Sequence, residues 1–383
     1  MRLPFFSRAP RSFVIADVGA GGSAIGVIRL DERAAHLCAA ARSHPRLDER
    51  DASAALASLA RTFAESADAA RSQATKAGAR VPEAAYVIIR APWAASRCLY
   101  AERAFETDTA ISDDLISGLA KEALAQAADI AQDELLEASI VHIELNGYPV
   151  SSPRGKRARH IRVAILVSSI PKRYRDAITD AAQKAFPGIT LKLRSHVRAL
   201  LVALKSEQHD RNCVVIDLAD DGTTVSVVRK NLLDSQTRID AGVQTLVSRV
   251  AKSGSREETL ALLSMLEKGI CTSAACDEIT QALSAAEPEL TKIFGEGLAT
   301  LAMKRRLPND AYLMAQADIA PWFAHFLARI DFAQFTLTSQ PLFVHVVGPT
   351  EFDSLVSCGN GVTPDQGLAL AAVLVHTEHM MAR

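Results

Sequence analysis

Two segments of the chain repeat one pattern, and this repeat constrains the fold more than any other feature of the sequence. In each segment a short apolar run ends in aspartate, a turn of small residues follows, and a second apolar run comes next. The first copy spans 13–30 and the second spans 213–229. Runs of this kind around a turn predict a β-hairpin. Their recurrence predicts a fold built from two similar halves.

The turn of each hairpin carries residues that suit a phosphate group. Glycine lets the backbone N–H groups approach an anion closely, and a serine or threonine hydroxyl can add a further hydrogen bond. The aspartate that ends each first strand, Asp17 or Asp217, can hold a hydrated Mg²⁺ that bridges phosphates. One such hairpin is more often an ordinary tight turn. Two copies favour a clamp that binds a nucleotide from both sides.

The remaining pattern extends this plan in both halves. A third strand and a helix follow each hairpin, and a small α/β insertion of about 85–186 separates the halves. Further helices are predicted at 257–270 and 277–301, a late strand at 342–347, and a closing helix at 365–379. Ser112 is predicted to cap a helix inside the insertion.

Charge and composition exclude several classes of partner. The chain has 43 Lys+Arg against 44 Asp+Glu, a net charge of -1, so no overall field attracts nucleic acid. No apolar run reaches the roughly 18 residues of a membrane span, and no signal peptide precedes the first strand. The six cysteines are scattered, which suggests small buried side chains in a reducing compartment. We therefore expect a cytoplasmic protein that does not bind nucleic acid.

These features together resemble the actin-like ATPase superfamily, and within it the FtsA/PilM branch. The resemblance is carried by the two hairpins, by the placement of the insertion, and by the loop from Asn146 to Lys156. It implies an α/β, actin-like (ribonuclease H-like) duplicated two-domain fold, with an inserted domain of the SHS2 type in the first half. It divides the chain into a leader 1–12, a first half 13–84 and 187–211, an insertion 85–186, a second half 212–347, and a closing segment 348–383.

The resemblance also implies a ligand set. ATP and Mg²⁺ are the expected cofactors, with Asp17 and Asp217 as the metal ligands. The expected cofactor-binding residues are Asp17, Gly19, Gly21, Gly22, Ser23, Asp217, Gly222, Thr223, Thr224, Gly242 and Gly348. The sequence departs from the family at Ala219, where an early glycine is usual, and at Pro349 after Gly348. These departures put strong nucleotide binding in doubt.

The function implied by the resemblance is that of an ATP-binding adaptor, at most a slow ATPase, in cell division or type IV pilus assembly. No catalytic residue can be named, because Asp220 and Asp221 are interpreted as solvated turn residues. Expected partners are proteins of the division or pilus machine and further copies of this chain. The protein would work at the cytoplasmic face of the membrane, which Leu3, Phe5 and Phe6 of the leader could touch weakly. The alternatives are a pseudo-ATPase scaffold and a metabolite kinase of the same superfamily.

Overall fold

A computed structural model describes residues 11–45, 54–206, 212–251, 255–363 and 365–381 of the chain. It forms two compact units. The first unit comprises residues 1–95, 169–206 and 349–383, and the second comprises 96–168 and 207–348. The membrane contact expected from the leader, at Leu3, Phe5 and Phe6, lies outside the described residues.

The first unit is built on a six-stranded sheet in the order β15-β3-β2-β1-β4-β9. Its strands are β1 (Arg11–Gly19), β2 (Gly22–Leu30), β3 (Ala35–Ser43), β4 (Ala84–Ile89), β9 (Thr190–Ser195) and β15 (Val356–Cys358). Strand β2 runs antiparallel to its neighbours β1 and β3, whereas β4 is parallel to β1 and β9 is parallel to β4. Strand β4 is buried along its whole length. Continuous apolar burial of this kind is typical of a strand covered on both faces.

Four helices cover this sheet. They are α1 (Ala55–Lys76), α3 (Lys172–Ala185), α4 (His196–Ser206) and α9 (Gln366–Met381). Helix α1 packs on β2, β3 and α3, and α9 packs on β1, β2 and α4. Because side chains alternate along a strand, residues that meet α1 and residues that meet α9 lie on opposite faces of the sheet.

The second unit repeats the plan of the first. Its main sheet has the order β12-β11-β10-β13-β14, from β10 (Cys213–Leu218), β11 (Thr223–Arg229), β12 (Leu232–Ile239), β13 (Asp310–Met314) and β14 (Phe343–Val346). Strands β10 to β12 are antiparallel, and β13 and β14 are parallel to β10. The same connectivity thus occurs twice, so the expected duplicated actin-like fold is confirmed.

Four helices that follow β12 in the second unit pack around an apolar core. They are α5 (Val243–Val250), α6 (Arg256–Glu267), α7 (Ala274–Ala302) and α8 (Ala320–Arg329). Within the described ranges, no helix is both long enough and apolar enough to cross a membrane.

The inserted segment forms a separate four-stranded sheet in the order β5-β8-β6-β7. Its elements are β5 (Ala95–Ala110), α2 (Asp113–Ala125), β6 (Leu135–Leu145), β7 (Tyr148–Pro149) and β8 (Arg157–Ser169). The Ser112 side chain accepts a hydrogen bond from Leu115 N, as predicted for the helix cap. The insertion is narrower than the expected 85–186, because β4 pairs with β1 and α3 packs on α1 in the first unit. In addition, the long strand β5 was not predicted.

The interpretation of the cysteines was wrong in two places. Cys271 and Cys276 form a disulfide across the turn between α6 and α7, where their Cα atoms lie 5.7 Å apart. Cys358 is free but exposed, so it is not a buried apolar side chain. The turn geometry that brings the first pair together was not visible in their spacing alone.

Candidate functional site

The first hairpin places Asp17 in a row of side chains that crosses three strands. Asp17 of β1 lies level with Ala24 of β2, and Ala24 lies level with Arg42 of β3. Cross-strand neighbours in such a row share one face of the sheet. The Asp17 carboxylate and the Arg42 guanidinium therefore point to the same side.

The Asp17 carboxylate is completely enclosed by two arginines. Arg90 Nε donates to Asp17 Oδ1 at 2.8 Å and to Oδ2 at 3.0 Å, and Arg42 Nη2 donates to Oδ2 at 2.9 Å. Arg42 in turn pairs with Asp365, with 2.7 Å between Nε and Oδ2. Only 1% of Asp17 is exposed. Burial alone would raise the pKa of Asp17, but the charges of Arg90 and Arg42 hold this pKa well below its usual range.

The start of helix α9 closes over the same carboxylate. A Cβ atom on Gly367 would lie 2.1 Å from Asp17 Oδ2, so only glycine fits at this point. Asp365 accepts a hydrogen bond from Leu368 N at 2.9 Å and so caps the helix start. Asp17 thus lies beneath α9 and between two guanidinium groups.

These contacts do not fit a magnesium ion at Asp17. Both carboxylate oxygens already accept hydrogen bonds from guanidinium groups, and two positive charges beside them would repel a divalent cation. Among the described residues, no group of three or more His, Cys, Asp or Glu is placed to hold a metal. Asp17 is better described as a buried structural anion.

Ser23 of the first hairpin does not join Asp17 in a phosphate site. Its hydroxyl is fully buried and lies 3.1 Å from Thr62 Oγ1 of α1. It therefore faces α1, on the opposite side of the sheet from α9. Gly19 and Gly22 are paired at the ends of β1 and β2, so Gly21 lies in the two-residue turn between them.

The second hairpin has an equivalent row of side chains across three strands, and its aspartate is more accessible to solvent. Asp217 of β10 lies level with Thr224 of β11, and Thr224 lies level with Arg238 of β12. Asp217 is only partly buried, unlike Asp17. The Thr223 hydroxyl faces the other way and donates to Ala241 O at 2.6 Å. Of the two threonines, Thr224 is the one on the face of Asp217.

Helix α5 begins directly on the turn of this hairpin. Val243 N donates to Ala219 O at 3.0 Å and Gln244 N donates to Asp220 O at 2.9 Å. A Cβ atom on Gly242 would lie 2.4 Å from both Ala219 O and Gly222 N. Glycine is required here because two backbone segments touch. The turn and the helix start are therefore fixed to each other.

Asp220 is not the solvated turn residue that the sequence suggested, whereas Asp221 is exposed as expected but forms an ion pair. Arg256 Nη2 donates to Asp220 Oδ1 at 2.5 Å, and Arg238 Nη2 donates to Asp221 Oδ2 at 2.7 Å. The Asp220 and Arg256 side chains are 14% and 12% exposed. Burial raises the pKa of Asp221, although the charge of Arg238 opposes this shift. Folding brings α6 and β12 to the turn, and local sequence could not show this.

A cavity of about 450 Å³ opens beside the far end of α5. It is lined mainly by apolar side chains from α5, α6 and α7, with Glu258 and Glu278 as acidic members. A concave, mostly apolar site with a few polar groups is typical of small-ligand binding. Gly348 lies just after β14, whose carboxyl end is at the same sheet edge as those of the parallel strands β10 and β13.

The arginines at both hairpins were missed by the sequence analysis. Arg42 and Arg238 stand at equivalent positions of the third strand in each half, level with the hairpin aspartate. A comparison of the two third strands would have found this pair. The sequence does not indicate the roles of Arg90 and Arg256, because only the tertiary fold brings each of them into contact with its hairpin.

Comparisons with known proteins identify the fold but no family. No protein-family model matches the chain, and no curated protein sequence matches it significantly. A PilM-PilN type IV pilus biogenesis complex is structurally similar, with a TM-score of 0.59, 15% identity, and coverage of 95% of this chain and 98% of that chain. At this identity the likeness shows a shared fold alone.

Two further solved structures match more distantly. A Bacteroides thetaiotaomicron protein with an actin-like ATPase fold and unknown function has a TM-score of 0.38 and 9% identity, covering 97% of this chain and 99% of that one. The ethanolamine utilization protein EutJ from Carboxydothermus hydrogenoformans has a TM-score of 0.42 and 11% identity, covering 96% and 91%. We base no functional argument on these two matches.

Proposed function

We propose that the protein is an actin-like, ATP-binding adaptor of the PilM type, which acts through its interactions with other proteins of a pilus assembly machine. The observation that carries the nucleotide part is the arrangement of the second unit, where one helix joins a phosphate-type hairpin to a cavity. Gly242, at the start of α5, touches the hairpin turn, and Val250 and Ala251, at its end, line the cavity.

The length of α5 suits a nucleotide. Its eight residues span about 12 Å at the usual rise per residue. The phosphates of ATP would lie at the turn, near Thr224 and Asp217, and the base would enter the apolar cavity. Burial of a flat ring against apolar side chains would stabilise this pose. The glutamates of the cavity could accept hydrogen bonds from the amino group or the ribose hydroxyls.

Asp217 is the proposed protein ligand of magnesium. Asp17 is enclosed by Arg42 and Arg90 and is not a metal ligand. Asp217 is partly exposed, and a metal that arrives with the nucleotide phosphates needs only one or two protein carboxylates. We name no general base, so at most slow turnover is expected.

The likeness in fold to a protein complex supports a role as a scaffold. The matched PilM structure is a complex with PilN, and its likeness covers nearly the whole of both chains. We infer that the inserted sheet of this chain, an SHS2-type domain, serves as a surface for a protein partner. The pilus role is preferred over cell division because the matched structure with a TM-score of 0.59 is a pilus biogenesis complex. The working site would be the cytoplasmic face of the membrane.

Filling the cavity should weaken ATP binding. Ala261 is exposed and lines the cavity, so Ala261→Trp should place an indole where the base would lie. We expect at least a tenfold loss of ATP affinity in isothermal titration, since the base would lose its apolar contacts. The matched control is Ala285→Trp, which is exposed on α7 and lines no described cavity. Wild-type affinity in the cavity variant would contradict this placement of the base.

A further inference from the structure

Two arginines at the second hairpin each keep a buried N–H group without an acceptor. Among the described residues, neither Arg238 Nη1 nor Arg256 Nη1 has a hydrogen-bond partner, although both atoms are buried. Buried donors are nearly always satisfied, so each exception calls for an explanation. A ligand that supplies the missing acceptors is one such explanation.

Each guanidinium is held in place by its other contacts. Arg238 Nη2 also donates to Asp221 O at 3.2 Å, and the guanidinium carbon would lie 2.6 Å from a Cβ on Gly222. Arg256 Nη2 contacts Gln316 Oε1 at 3.4 Å in addition to Asp220. Both groups therefore flank the turn of the hairpin with little freedom to move.

The two guanidinium groups suit a phosphate ligand better than a carboxylate ligand. The planar guanidinium presents several N–H donors in a fixed fork, which matches the oxygens of phosphate. Asp220 and Asp221 offset one positive charge each and orient the fork, much as supporting groups orient the ligands of a binding site. Asp240, which lies 3.4 Å from Arg238 Nε, has a side chain that is 94% exposed, so solvent and salt screen its charge.

The first unit supplies an internal comparison. Arg42 stands at the position equivalent to Arg238, level with the hairpin aspartate. Its N–H groups, however, bind Asp17 and Asp365, and no buried N–H of Arg42 lacks an acceptor among the described residues. N–H groups without an acceptor thus occur at the second hairpin, whereas the equivalent arginine of the first hairpin, Arg42, forms ion pairs within its own unit.

We propose that Arg238 and Arg256 bind phosphate groups of the ligand at the turn of the second hairpin. The two guanidiniums donate hydrogen bonds to the phosphate oxygens directly, so phosphate binding persists without a metal. Because the inference rests on the proposed nucleotide site but concerns only its phosphate end, it is tested with an inorganic polyphosphate as well as with ATP.

The test compares wild type with the double variant Arg238→Gln/Arg256→Gln in isothermal titrations with EDTA present. The titrants are ATP, adenosine and inorganic tripolyphosphate. We expect the double variant to lose at least tenfold in affinity for ATP and for tripolyphosphate, with adenosine affinity unchanged within twofold. Arg249→Gln is the matched control, because Arg249 lies in the same unit in a surface ion pair with Glu289, and it should bind all three ligands as wild type does.

A second variant guards against misfolding. The double variant removes the ion pairs of Asp220 with Arg256 and of Asp221 with Arg238. A quadruple variant that adds Asp220→Asn and Asp221→Asn is therefore measured beside it, and circular dichroism checks that each variant is folded. Equal binding of tripolyphosphate by wild type and either folded variant would overturn the proposal, as would failure of wild type to bind either phosphate ligand. Binding of tripolyphosphate but not ATP or adenosine by wild type would support the arginine site and reject the nucleotide assignment.

Discussion

Replacing Asp17 with asparagine should destabilise the first unit by about 3–5 kcal/mol, the usual cost of removing one partner from a buried ion pair. Asparagine keeps the shape of the side chain but removes its charge. Arg42 and Arg90 would then lose their shared anion beneath α9, although Arg42 would keep its ion pair with Asp365. The loss should be the same with Mg²⁺ and with EDTA, because no metal takes part.

The two tryptophans allow each unit to be followed separately. Trp93 is buried in the first unit and Trp322 in the second, so urea unfolding of Asp17→Asn is measured by Trp93 fluorescence in a Trp322→Phe background. Asp68→Asn is the control, because Asp68 forms only a surface pair with Arg71 on α1 and should shift stability by less than about 0.5 kcal/mol. An Asp17 variant as stable as this control would contradict the structural role.

The stabilisation by Asp17 should also depend on pH in a definite direction. Its folded-state pKa lies below its usual value, so the carboxylate stabilises the fold at pH values above the unfolded pKa of about 4. As the pH falls below that value, the advantage of wild type over Asp17→Asn should shrink progressively. The measurement is the difference in urea midpoint between the two proteins from pH 7 to pH 3. A difference that grows on acidification would show that Asp17 is not charged in the folded protein.

Gly242→Ala should destabilise the second unit by about 1–3 kcal/mol, the usual cost of overpacking. The added methyl would lie 2.4 Å from Ala219 O and Gly222 N, and its nearest neighbours are backbone atoms that no side-chain rotation can remove. Helix α5 would have to move away from the turn. The bonds from Val243 N to Ala219 O and from Gln244 N to Asp220 O would lengthen or break.

Gly118→Ala is the control for this change. Gly118 lies inside α2, and a Cβ there would meet nothing within 4 Å, so alanine should stabilise the helix by about 0.5–1 kcal/mol. Unfolding of the Gly242 variant is followed by Trp322 fluorescence in a Trp93→Phe background. Opposite signs for the two substitutions are expected, and a neutral Gly242→Ala would show that α5 does not press on the turn.

The sequence was most informative where the pattern was repeated. The two hairpins were predicted with their aspartates near the ends of β1 and β10, because apolar strands and small-residue turns leave a local signal. The third strands and the helix cap at Ser112 were predicted for the same reason. Strand β5 was missed because its 16 residues alternate charged and apolar side chains only weakly and are mostly exposed or half-buried.

The site was less predictable because its chemistry depends on long-range contacts. Asp17 and Asp217 look alike in sequence, yet Arg90, 73 residues further along the chain, encloses only the first. Asp220 meets Arg256 through a contact that spans 36 residues. Local pattern predicts where a carboxylate lies in a hairpin. It does not predict which cation reaches that carboxylate, and this decides whether the group can serve a ligand.

The central claim is that the protein binds a nucleotide and that arginines contact its phosphates. Its most direct test is an isothermal titration of ATP into the wild-type chain, with Mg²⁺ in one experiment and EDTA in the other. We predict measurable binding in both, with less than about a tenfold difference in affinity, or about 1.4 kcal/mol. ATP binding that disappears in EDTA would contradict the account, because a metal would then supply the phosphate contacts assigned to Arg238 and Arg256. Absence of binding in both experiments would reject the nucleotide site itself.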